Sequence, residues 1–148
     1  MERDKHEREI IVRLFQLSNA LQTYLDNMLK EFQITSKQFF LMIIIGTFEG
    51  SPRIGEVSER FGTSRQNVKQ VLLKLEKSNY VRLFKDEFDS RITRVTLTEH
   101  AKLFWEERNE MDDFIISEIF KLSSTDDLAI FNSSLIKTIE QINGLSNE

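Results

Sequence analysis

Cysteine is absent from the chain, and with it disulfides, thiolate metal sites and thiol redox chemistry. Proline occurs once and glycine five times in 148 residues. That is too few turn formers for a β-sandwich and too little low-complexity sequence for a disordered chain. The two histidines, His6 and His100, stand in no metal-ligand or nucleophile spacing. No catalysis, cofactor or metal is expected. The longest apolar run, FFLMIII at residues 39–45, is far short of the ~20 residues a membrane helix needs. The start, MERDKHERE, lacks the apolar stretch of a signal peptide and is expected to be mobile. These exclusions leave a soluble cytoplasmic protein as the expectation. Twelve phenylalanines and 40% hydrophobic residues suffice for one packed, mainly helical domain.

Net charge is −4, which taken alone argues against a nucleic-acid partner. The charge is unevenly placed. Residues 1–49 carry 6 cations and 7 anions, and residues 101–148 carry 4 and 10, whereas residues 50–100 carry 10 and 7. The field that a phosphate backbone meets is local, so the basic middle decides.

Apolar residues at 10, 14, 17, 21, 25, 28 and 32 mark a long amphipathic helix. Thr35-Ser-Lys-Gln38 reads as a capping box opening a second helix through Phe48. Ile54, Val57 and Phe61 give a short third helix closed by Gly62. Thr63-Ser-Arg-Gln66 reads as a capping box for a fourth, with Val68, Val71, Leu72 and Leu75 on one stripe and Asn79 as its stop. From Tyr80 the period shortens. Val81 and Leu83, then Ile92, Val95 and Leu97, flank the polar residues 85–90 and predict a β-hairpin. A long helix after Thr98 carries Leu103, Phe104, Met111, Phe114, Ile115 and Ile119. A last helix after Ser124 carries Leu128, Phe131, Leu135, Ile139 and Ile142.

Short helix, turn, helix and hairpin form a helix-turn-helix with a wing. The front of the fourth helix carries amides and cations without carboxylates, the selection that reads base edges and phosphates. Arg65 suits guanine, and Gln66, Asn67 or Gln70 suit adenine. Lys69, Lys74 and Lys77 suit phosphate, and Arg91 and Arg94 suit a minor groove. With Ser64, Lys85 and Ser90 added, these are the expected DNA-facing residues. An alternative stays open: a dimeric winged-helix module that binds protein rather than DNA. Phe15, Phe39, Phe40 and Trp105 are the candidate lining of a pocket for a small aromatic ligand, or else core.

The chain resembles the MarR-type winged-helix transcriptional regulators. Thr35-Ser-Lys-Gln38-Phe39 is similar to the helix-opening T-x-x-Q segment of that family. Residues 56–64, EVSERFGTS, and the stretch from Val68 through Leu75-Glu-Lys are similar to its helix-turn-helix. Asp86-Glu-Phe-Asp89-Ser-Arg91 followed by Val95-Thr-Leu-Thr98 is similar to its wing, D-P-x-D-R-R…v-x-L-T-x-x-G. Ser90 replaces a basic residue of that pattern, His100 and Asn79 each replace a glycine, and Ser58 replaces an alanine. The resemblance implies one domain over 1–148, with a DNA-binding part at 34–98 and helical dimerisation parts at 1–33 and 99–148. It implies a homodimeric repressor on pseudo-palindromic operators, released by a small ligand, and a bracing role for Asp89 toward Arg91.

Overall fold

Arg3 and Lys5 each stand one helical turn before a glutamate, pairing with Glu7 at 2.7 Å and Glu9 at 3.9 Å. Glu2 and Asp4 occupy the first turn, where the helix dipole favours negative charge. In the computed structural model, which describes residues 1–147, the charged start is therefore helical and not loose. Helix α1 runs Glu2–Leu29, and a 3-10 turn over Lys30–Phe32 ends at Gln33 in the left-handed region, φ 55°.

Helix α2, Ser36–Gly46, opens on the expected box. The Thr35 hydroxyl accepts from the Gln38 amide at 3.1 Å, and the Gln38 side chain accepts from the Thr35 amide at 3.0 Å. The Ser36 amide also donates to the Asp26 carboxylate, which ties α2 to α1. Helix α3, Ile54–Phe61, closes at Gly62, whose φ of 87° suits a residue without Cβ. Helix α4, Arg65–Lys77, departs from expectation at its start. Its N-cap is Ser64, which accepts from the Asn67 amide at 3.2 Å, and no capping box forms. Thr63 is unavailable because its amide closes α3 by donating to the Ser58 carbonyl. Asn79 does end the segment in the left-handed region, φ 63°.

Strands β1, Val81–Lys85, and β2, Thr93–Leu97, pair antiparallel with Val81 opposite Leu97 and Leu83 opposite Val95. The chain ahead of α3 joins this hairpin: Arg53 bridges to Arg94, and the Val95 amide donates to the Pro52 carbonyl at 3.0 Å. Helix α5, Glu99–Phe120, starts at Thr98, whose hydroxyl donates to the Asn79 carbonyl and accepts from the Ala101 amide. Helix α6, Thr125–Leu145, starts from a Ser124–Asp127 capping box.

Packing separates two compact units, residues 1–104 and residues 105 onward. In the first, Leu41, Met42, Val57, Val68, Leu72 and Val95 are fully buried, each worth about 1.5–3 kcal/mol if wholly removed from water. The Phe104 ring meets Phe32, Phe39 and Tyr80 edge-on, with centroids 5.3, 6.3 and 5.5 Å away. His100 packs on Tyr80 at 4.6 Å, which gives the residue in place of glycine a structural contact. In the second unit Arg108 and Asp112 pair at 2.9 Å along α5, and α6 buries no residue at all. Its stripe at Phe131, Ile139 and Ile142 is exposed.

Candidate nucleic-acid interface

The amphipathic pattern of α4 turns Val68, Leu72 and Leu75 into the core and leaves Ser64, Arg65, Gln66, Asn67, Lys69, Gln70, Lys74 and Lys77 exposed. Buried Val57 on α3 sets the angle between the two helices from the other side. The one carboxylate of α4, Glu76, accepts from the Leu83 amide at 2.7 Å and so anchors the helix to the wing. It does not oppose the cations at the front. Asn67 donates to the Thr63 hydroxyl at 3.1 Å, which orients its amide across the turn. The front of α4 is thus a carboxylate-free surface on a packed support.

In the wing, two aspartates each hold an arginine. Asp86 pairs with Arg94, which also donates to the Ser51 carbonyl at 2.9 Å. Arg94 therefore directs its donors inward, toward the segment before α3. Asp89 accepts from both Nε and Nη2 of Arg91 at 3.0 Å. Both carboxyls are held below the ordinary carboxylate range. The causes are, for Asp86, the hydrogen bond from Arg94 and then the Phe88 amide, and for Asp89 the side-chain and backbone hydrogen bonds of Arg91. Arg91 remains largely exposed at the tip, with Ser90 beside it, and Lys85 donates to Thr93 at 3.1 Å.

Between α3, the start of α4 and the wing lies a polar cleft of about 350 Å³, lined by Arg53, Gly55, Glu56, Glu59, Arg65 and Arg91 among others. Arg65 lies flat over Gly55: a Cβ there would come within 2.9 Å of its guanidinium.

No protein-family model matches the sequence, and no curated protein matches it. Solved structures do. The chain superposes on a MarR protein from Peptoclostridium difficile with a TM-score of 0.81 and 23% identity, over 91% of this chain and 88% of that one. It superposes on AbsC, a MarR family transcriptional regulator from Streptomyces coelicolor, with a TM-score of 0.82 and 20% identity, over 94% and 95%. The S. aureus MepR structure, a complex with DNA, matches with a TM-score of 0.78 and 17% identity, over 88% and 96%. The chain has the MarR-type winged-helix fold.

On this MarR-type frame, sequence reasoning missed Arg53 and Gly55. Arg53 precedes a short helix and had no periodic signal. Gly55 reads as a mere weak helix former until Arg65 is seen lying on it. Phe40 lines an apolar cleft of about 250 Å³ with Leu21, Leu25 and Phe61, and its ring packs on Phe61 at 5.5 Å. The Phe39 ring meets Phe104 at 6.3 Å, and Phe15 is exposed on α1. Among the described residues, no helix is long and apolar enough to cross a membrane. Nor do three or more His, Asp or Glu gather there into a group that could hold a metal.

Proposed function

We propose that the protein is a dimeric DNA-binding transcriptional regulator that represses from pseudo-palindromic operators. The observation that carries this reading is the exposed, carboxylate-free front of α4, mounted on a packed helix-turn-helix and flanked by a braced wing. Arg65 and the amides of Gln66, Asn67 and Gln70 read base edges in the major groove. Ser64, Lys69, Lys74 and Lys77 hold phosphates, and Lys85, Ser90 and Arg91 meet the adjoining minor groove. Arg94 and Asp89 act from within, bracing the hairpin. Binding by MepR, seen in complex with DNA, supports the same use of the shared fold.

A second copy covers the apolar stripes that one protomer leaves in water. These include Ile10, Phe15 and Leu17 on α1, and Phe131, Ile139 and Ile142 on α6. Rows of exposed apolar side chains of this kind mark surfaces that meet a partner. In the dimer the two α4 helices stand about one DNA turn, roughly 34 Å, apart. A small aromatic ligand at the Phe40 cleft releases DNA by favouring a dimer with another spacing. Selection of duplexes from a random pool by the purified protein tests the reading. The expected outcome is an inverted repeat of one-turn half-site spacing, and retention of no duplex at low salt would overturn it.

A further inference from the structure

Phe88 stands at the tip of the wing with 91% of its surface exposed. Single exposed apolar residues are ordinary, but three features set this one apart. The backbone beneath it is locked, because the Asp86 carboxylate accepts from the amides of both Phe88 and Asp89 at 3.0 Å. Asp86 is in turn held by Arg94, which is tied to Ser51. The loop is closed on itself by Asp86 N–H to the Ile92 carbonyl at 2.9 Å and Ile92 N–H to the Asp89 carbonyl at 3.0 Å. A ring on so fixed a mount loses little freedom when it meets a partner.

The charges of the tip are also matched against one another. Arg91 lies on Asp89 and Arg94 on Asp86, while Glu87 has no ion pair among the described residues. Attraction to phosphate is therefore weak at the place where Phe88 projects. Finally, this tip belongs to the wing beside the α4 front, so its neighbour on bound DNA is the minor groove. We propose that Phe88 enters that groove as an apolar wedge, partly unstacking one base step and bending the duplex. The inference rests on the DNA-binding reading above.

Aromatic and aliphatic wedges work in this way in proteins that kink DNA from the minor groove. The unstacking cost is lowest at flexible pyrimidine–purine steps. A wedge without a hydrogen bond would thus select sequence outside the part that α4 reads. It would also do so independently of salt, because no counterion is released by a phenyl ring.

The test uses the full chain and the duplex it selects, with 2-aminopurine at the flanking step. Phe88→Ala should bind about tenfold more weakly, the loss of a single base–aromatic contact. Its salt slope should be unchanged, its induced bend smaller by energy transfer between duplex ends, and its 2-aminopurine quenched. Phe88→Leu, still a wedge, should restore the bend and the 2-aminopurine emission seen with the unaltered protein. Lys74→Ala, on the phosphate side of α4, should instead lower the salt slope by about 1. Wild-type bend, emission and affinity in Phe88→Ala would overturn the wedge and leave the DNA-binding reading standing. Failure of the unaltered protein to bind any duplex would overturn both. Because Phe88 is exposed, the variants should melt like the parent, and a lowered melting point would assign Phe88 to the fold instead.

Discussion

Arg65 is placed by two neighbours: Ser64 caps the helix that carries it, and Gly55 gives its guanidinium a flat surface to lie on. As a base reader it should be costly to lose on the right site alone. Arg65→Ala is expected to weaken the selected operator by about 1–3 kcal/mol and relax preference at one position per half-site. Lys74→Ala, near the far end of α4, should weaken all duplexes alike and flatten the salt dependence. Competition binding with selected and random duplex separates the two outcomes. Gly55→Ala probes the surface beneath Arg65. Alanine suits a helix better than glycine by roughly 0.5–1 kcal/mol, so the fold should not suffer. The new methyl displaces a flexible guanidinium, and the expected outcome is altered base preference at the Arg65 position with unchanged melting.

The wing is the element whose stability is most exposed to pH. Asp86 and Asp89 titrate below the ordinary carboxylate range because each receives a guanidinium, with two backbone amides at Asp86 and one at Asp89. Their ionised forms are stabilised in the folded chain, so their contribution is present above the ordinary pKa of about 4. It declines as pH falls through the lower, folded values. The protection of the Phe88 and Asp89 amides, measured against unstructured peptide at the same pH, should therefore be high at neutral pH and fall only below about pH 4. Arg94→Ala should bring that loss of protection to neutral pH, since it removes the cation from a half-buried carboxylate and the link to Ser51. If Arg94 met DNA and did not brace the hairpin, amide exchange in the free protein would stay slow in that variant.

At the scale of the whole molecule, the second copy is the expected partner of the terminal helices. Light scattering at micromolar concentration should give the mass of a dimer. Ile139→Glu, a charge placed in the α6 stripe, should give a monomer that binds half-sites weakly. A stable, unaltered monomer would defeat the dimer. Titration of phenolic and aryl carboxylate compounds against the protein–DNA complex tests release, with Trp105 emission as reporter. Binding of several compounds without loss of DNA affinity would leave control by protein level as the better account.

Sequence alone determined the features that depend on nearest neighbours. Thr35 and Gln38 cap α2, Asn79 takes a left-handed turn, and the steps of three and four in Val68–Leu75 turn one face of α4 inward. These follow from local hydrogen bonding and helical period, which act over a few residues. Tertiary structure decided what depends on distant partners. Arg94 reads in sequence as one more exposed cation, and only the approach of Ser51, far away in the chain, makes it a brace. Thr63 reads as a cap until the end of α3 claims its amide. Phe39 and Phe40 are adjacent in the chain, yet α2 turns one toward Phe104 and the other toward Phe61. Which neighbour a side chain meets is settled by the folding of separate elements against one another, and no local pattern records it.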